Sequence, residues 1–162
     1  MITGELQSED MILSVRDELF QICPKNKYRL IDPHLTILPP FELSEKLVTD
    51  IHDIIEAYSN SDFSMSIEGV GVYPNLSNPR VVLLDVTPSE DIRELRSELV
   101  EFLRDQNVEF RYDPTPFHIT LFKCDNGYTL AEDRKQLLQN RVASNRESWA
   151  NSLSNVYLEE VI

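Results

Sequence analysis

His34-Leu35-Thr36-Ile37 returns 84 positions later as His118-Ile119-Thr120-Leu121. In each copy a histidine and a hydroxyl stand two residues apart, with aliphatic residues between and after them. Side chains alternate across a β-strand, so His34 and Thr36 are expected on one face, with Leu35 and Ile37 on the other. His118 and Thr120 repeat the pattern. The reading gives two half-buried strands, each presenting an imidazole and a hydroxyl about 7 Å apart.

The correspondence extends outward from the motifs. Tyr28 and Tyr112 each precede their histidine by six residues and follow a cation, Lys27 or Arg111. Ser8-Glu9-Asp10 and Ser89-Glu90-Asp91 are offset by 81 and carry helix-start chemistry, a capping hydroxyl followed by acids. Further helices are expected after Ser44, with Leu47, Val48, Ile51, Ile54 and Ile55 at helical spacing, and after Thr129-Leu130-Ala131-Glu132, a capping box. Strands are expected over residues 63–73, 80–87 and 155–161, the first two joined by the hairpin loop Pro74-Asn75-Leu76-Ser77-Asn78-Pro79. Residues 2–6 are written weakly as a strand, so the first lobe is expected to lack or shorten an edge strand. Each half reads as strand, helix, basic-aromatic loop, histidine strand, helix. This α+β pattern suggests duplication, with two similar lobes related by a pseudo-twofold axis. At 162 residues the whole chain, 1–162, is expected to form one bilobal domain.

The formal charge of -13 argues against an extended nucleic-acid footprint and against a polybasic membrane anchor. A small phosphate pocket remains compatible, because a few local cations outweigh the net field there. Two cysteines, Cys23 and Cys124, make neither a disulfide framework nor a four-ligand zinc site, and reduced thiols in the cytosol are expected. Met1-Ile2-Thr3-Gly4-Glu5 turns acidic too soon for a signal peptide, and no apolar run has membrane-spanning length. The expectation is a cytoplasmic monomer without a membrane partner.

Histidine takes and gives protons near neutrality, its unperturbed pKa being about 6.5. Two of them serve a phosphodiester displacement as base and acid, with the hydroxyls holding non-bridging oxygens between them. No metal or cofactor is called for: the three histidines lack ligand spacing, and His52 reads as a helix-surface residue. Lys25, Lys27 and Arg29 precede the first motif, Arg111 precedes the second, and Arg80 opens a strand. Lys123 lies five positions past His118; that odd offset puts it on the opposite face unless the strand twists or ends, so it is either a phosphate contact or an edge charge. Tyr28, Tyr73, Tyr112 and Phe41 either stack on a base or pack in the core and rim. Asp32 and Asp113 either orient an imidazole or serve as turn residues.

The paired motifs resemble those of the two-histidine (2H) phosphoesterase superfamily, which includes bacterial and archaeal 2′-5′ RNA ligase-like proteins and cyclic nucleotide phosphodiesterases. Asp32-Pro33-His34-Leu35-Thr36-Ile37 is similar to its first motif. Pro116-Phe117-His118-Ile119-Thr120-Leu121 is similar to its second, with Phe117 inserted between proline and histidine. Gly69-Val70-Gly71-Val72-Tyr73-Pro74 and Arg80-Val81-Val82-Leu83-Leu84 resemble the intervening hairpin. The resemblance implies two antiparallel sheets around a central cleft, helices on the outside, and one motif from each lobe. It implies His34 and His118 as the acid/base pair and Thr36 and Thr120 as phosphate ligands, without metal. Lys123 (often arginine in the family), Tyr28 and Tyr112 are the further candidate substrate contacts. The implied substrate is a nucleotide or RNA terminus with a 2′,3′-cyclic phosphate or a 2′-5′ linkage. The rival readings are a non-catalytic module binding nucleotides or RNA ends, and a reversible 2′-5′ RNA ligase.

Overall fold

Strands and helices alternate through the chain as β1 (Ile2–Leu6), α1 (Asp10–Phe20), β2 (Arg29–Leu30), β3 (Leu35–Leu38), α2 (Glu45–Glu56), β4 (Ser64–Tyr73), β5 (Val81–Pro88), α3 (Glu90–Asp105), β6 (His118–Lys123), α4 (Glu132–Ala143) and β7 (Trp149–Leu158). The computed structural model describes residues 1–23, 26–111, 116–125, 128–144 and 147–159. Among these residues the fold is mixed α/β, with four helices and one seven-stranded antiparallel sheet in the order β2-β6-β5-β4-β7-β1-β3.

The helices bury the stripes their spacing announced. In α3, Ile92, Leu95, Leu99 and Leu103 are fully buried, and the Ser89 hydroxyl accepts from the Ile92 N–H at 3.3 Å. In α2, Leu47 and Ile51 face the core and His52 is exposed. Two starts differ from expectation. α1 begins after Glu9 rather than Ser8, and α4 after Ala131, so the Thr129–Glu132 capping box does not form. α4 docks through Leu138, while Leu137 stays exposed.

Two separate sheets are not what forms. β4 and β7 pair from Ser64↔Ser152 to Ile67↔Trp149 and join all strands into one sheet. β7 also begins earlier than the expected residue 155. β1 is not an edge strand either; it lies between β7 and β3 with Ile2 and Leu6 buried. Its apolar pattern is interrupted for a packing reason at Gly4, where a Cβ would come within 2.7 Å of Leu153 Cδ1.

Shifting by the motif repeat of 84 residues carries β3 onto β6, α2 onto α4 and β4 onto β7. With β1 taken as the counterpart of β5, the strand order outward from the β4–β7 pair is β5 then β6 one way, and β1 then β3 the other. Each half therefore lends its last strand to the opposite side: β4 pairs with β5, and β7 with β1. The inward-facing aliphatics Leu35, Ile37, Leu84, Ile119 and Leu121 are at most 1% exposed and share one core with the helices. Burying each such side chain contributes about 1.5–3 kcal/mol. The alternate positions of the same strands carry the polar residues that follow.

Candidate active site

Both histidines sit in the same local frame. His34, immediately before β3, has Nδ1 2.8 Å from the carbonyl oxygen of Asp32; His118, the first residue of β6, has Nδ1 2.9 Å from that of Pro116. A carbonyl only accepts, so each Nδ1 carries the proton and donates, and the lone pair of each neutral ring rests on Nε2. The backbone two residues upstream thus fixes ring orientation and tautomer, and Asp32 meets His34 through its carbonyl. Asp113 lies outside the described residues.

The expected alternation holds in both copies. His34, Thr36, His118 and Thr120 are half-buried, while Leu35, Ile37, Ile119 and Leu121 are buried. Both strands then break the alternation at the same point. In β6, Leu83 faces Thr120 but Val82 faces Phe122, leaving Leu121 as the extra residue of a β-bulge. In β3, Thr3 faces Thr36 but Ile2 faces Leu38, leaving Ile37 in that place. Each bulge follows its threonine directly and seats two successive apolar residues in the core, Leu121 with Phe122 and Ile37 with Leu38.

The bulge decides where Lys123 points. With one residue absorbed, Lys123 pairs with Val81 and returns to the face of His118 and Thr120 despite its odd offset. That face consists of three cross-strand rows: His118, Asp85 and Gly69; Thr120, Leu83 and Gly71; and Arg29, Lys123, Val81 and Tyr73. Successive rows lie about 7 Å apart along the strands. On the other half, Thr36 aligns with Thr3 and Tyr157, and the Thr3 hydroxyl donates to Glu159 Oε2 at 2.9 Å. Asp85 and Thr3 were not anticipated; their only sequence signal is register, which pairs them with His118 and Thr36.

β3 and β6 lie far apart in the sheet order yet come within 8 Å of each other, Cα to Cα. The linking segment explains why. Arg29 and Leu30 pair with Lys123 and Phe122, the Ile31 N–H donates to the Leu121 carbonyl at 3.0 Å, and the chain then passes through His34 into β3. The sheet curls until its two motif strands meet.

Tyr28 is a correction. It is 5% exposed, stands edge-on to Phe122, and donates its hydroxyl to the Pro79 carbonyl at 2.6 Å. Burial first, then the neighbouring thiols, raise its pKa. The core-packing alternative applies, and Tyr28 anchors the β4–β5 loop instead of meeting a substrate. Phe41 is half-buried against Phe110, with ring centroids 6.0 Å apart, beside a cavity of about 830 Å³ that neither motif lines. Tyr73 is 63% exposed. Tyr112 and Lys25 lie outside the described residues.

With this arrangement in view, the comparisons are specific. The sequence profile of the 2′-5′ RNA ligase superfamily matches residues 10–153. The chain belongs to that superfamily. The RNA 2′,3′-cyclic phosphodiesterase of Archaeoglobus fulgidus is 31% identical to this superfamily member over 80 residues, which are 49% of this chain and 44% of that protein. The matched stretch thus spans less than half of that relative. The crystal structure of TT0787 of Thermus thermophilus superposes with a TM-score of 0.59 at 21% identity, covering 76% of this chain and 74% of that one. At that identity the likeness shows a shared fold. Among the described residues of this superfamily member, no helix is long and apolar enough to cross a membrane.

Proposed function

We propose that this protein is a metal-independent phosphoesterase acting on 2′,3′-cyclic phosphate or 2′-5′ phosphodiester ends of nucleotides or RNA. The observation that carries the reading is the matched pair of frames: two imidazoles, each held as the Nδ1–H tautomer by a backbone carbonyl, on strands that the sheet brings together. In this reading residues 1–162 act as one unit whose two halves face each other across a cleft. The phosphate lies between them, and Thr36 and Thr120 donate to its non-bridging oxygens. One histidine takes a proton from water through Nε2 as the water oxygen bonds to phosphorus. The other, protonated, gives its Nε2 proton to the departing ribose oxygen as the P–O bond breaks. Lys123, on the face of His118 and Thr120, offsets charge on the phosphate. The family membership and the cyclic phosphodiesterase relative support this substrate class.

The test incubates wild type, His34→Ala and His118→Ala with 2′,3′-cyclic mononucleotides and 2′-5′ dinucleotides in EDTA. Wild type is expected to open the ring or cleave the linkage, and each substitution to cost about 10²–10⁴ in rate, the usual worth of a positioned acid or base. Near-wild-type turnover by either variant refutes the two-histidine mechanism. Saturable binding without product identifies a binding module instead.

A further inference from the structure

The last row of the polar face leaves the reacting phosphate and ends in an aromatic ring. Tyr73 closes β4 on the same face as Val81 and Lys123, and its carbonyl accepts the Arg80 N–H at 2.8 Å across the mouth of the hairpin. Of the aromatic side chains considered for base stacking, Tyr28 is buried and Phe41 packs on Phe110, whereas Tyr73 stands 63% exposed. Cations gather at the other end of the same row, around Asp125. Arg29 pairs with Lys123 across the strands and reaches Asp125 Oδ1 at 3.3 Å, and Arg80 Nη2 donates to the Asp125 carbonyl at 2.5 Å. The Asp125 carboxyl is held below its ordinary range, first by the hydrogen bond and charge of Arg29, with Lys123 and Arg80 adding to it. Three cations against one carboxylate make a positive corner in a chain of net charge -13.

We propose that Tyr73, Lys123, Arg29 and Arg80 form a subsite for the nucleotide adjoining the reacting end, so that the protein prefers an oligonucleotide terminus to a mononucleotide. The proposal rests on the phosphoesterase reading and names its substrate class. Thr120 and Lys123 occupy successive rows about 7 Å apart, so a phosphate held by the motif hydroxyl has a neighbouring anionic group within reach of the cationic row. An exposed tyrosine at the end of that row offers a π-face to any base, without sequence preference. In the opposite half no lysine takes that place: Pro39 stands 84 residues before Lys123, and Tyr157, 84 residues after Tyr73, shares the row of Thr36 and Thr3 instead.

Equilibrium binding tests this without requiring turnover. Adenosine 3′-monophosphate and the dinucleotide ApA carrying a 3′-phosphate are titrated into wild type, Tyr73→Ala, Tyr73→Phe and Arg29→Ala. The dinucleotide is expected to bind wild type at least 10-fold more tightly. Tyr73→Ala should weaken dinucleotide binding by about 5- to 100-fold, the range of one base–aromatic stack, and leave the mononucleotide within twofold. Tyr73→Phe should retain the preference, and Arg29→Ala should flatten its salt dependence. Equal affinity of wild type for the two ligands overturns the subsite, as does a Tyr73→Ala loss shared equally by both. If turnover fails in the assay above while this preference stands, the reaction is wrong and the subsite is right.

Discussion

Arg141 offers the sharpest test of how α4 is held against α1. Its side chain is 7% exposed, and all five guanidinium N–H groups have partners. Nε and Nη2 donate to the two oxygens of Glu18 at 2.7 and 3.1 Å, and Nη1 donates to Glu147 Oε2 at 3.1 Å and Ser144 Oγ at 3.4 Å. The fifth reaches Glu147 Oε1. The Glu147 hydrogen bonds first, then those to Glu18, raise the Arg141 pKa against the cost of burial. Arg141→Met keeps most of the apolar stem but strands Glu147, which is 3% exposed, in the interior. Glu18, at 45%, can turn to water. The stranded carboxylate sets the magnitude: removing one partner of a buried pair costs about 3–5 kcal/mol. For a chain of this length that corresponds to a fall in Tm of about 6–20 °C. Urea unfolding at pH 7 with unchanged m-value is the measurement. Adding Glu147→Leu to Arg141→Met should restore most of the loss, because the uncompensated charge is removed with its partner. A loss of about 1 kcal/mol or less, as at an exposed pair, refutes the reasoning.

Three further outcomes are expected. Nitrogen-15 NMR at a pH where the imidazoles are neutral should find Nδ1 protonated and Nε2 bare in both His34 and His118; the opposite tautomer in either ring contradicts the backbone lock. Burial pushes the Cys23 thiol up to about 11, so peptide mapping after iodoacetamide at pH 8 should find Cys23 unlabelled in native protein and labelled in urea; rapid native labelling contradicts its burial. Asp125 should titrate below the ordinary carboxylate value of about 3.9 and move up towards it in Arg29→Ala. Because its folded pKa is depressed, the stability it contributes is present above the unfolded value and lost as pH falls through the folded one. An Asp125 titration unmoved by Arg29→Ala contradicts the cation cluster.

The motif strands were legible because alternation is local: each Leu or Ile beside His34, Thr36, His118 and Thr120 had to face the core for the polar pair to face away. The face of Lys123 was not legible, since a bulge is settled between two strands, and Leu121-Phe122 reads as an ordinary apolar pair until Val82 and Leu83 are seen opposite. Gly4 and Thr3 disguised β1 for a similar reason; the residues that let it lie between β7 and β3 interrupt its apolar pattern. The Asp32 and Pro116 carbonyls that orient the imidazoles have no signature at all, because every residue carries one. Tyr28 sits at the same offset before its histidine as Tyr112, yet its burial comes from Phe122 and Pro79, both remote in sequence.

Duplication gives both histidines one frame: the same upstream carbonyl, the same hydroxyl two residues on, the same bulge after it. That shared frame by itself does not separate acid from base. Beyond the bulge the halves part. Lys123 leads into Arg29, Val81 and Tyr73, whereas its counterpart 84 residues earlier is the buried Pro39. In our reading a phosphate between the motifs meets near-symmetric chemistry and a strongly asymmetric field. A nucleotide chain attached to it has the Arg29–Lys123 row to follow in one direction, and an exposed tyrosine on either side, Tyr73 and Tyr157. That direction fixes on which side of the phosphorus the departing ribose oxygen lies, and with it which imidazole must hold the proton when the bond breaks. On our proposal the acid and base roles are set by residues outside the motifs, in the row where the two halves no longer match.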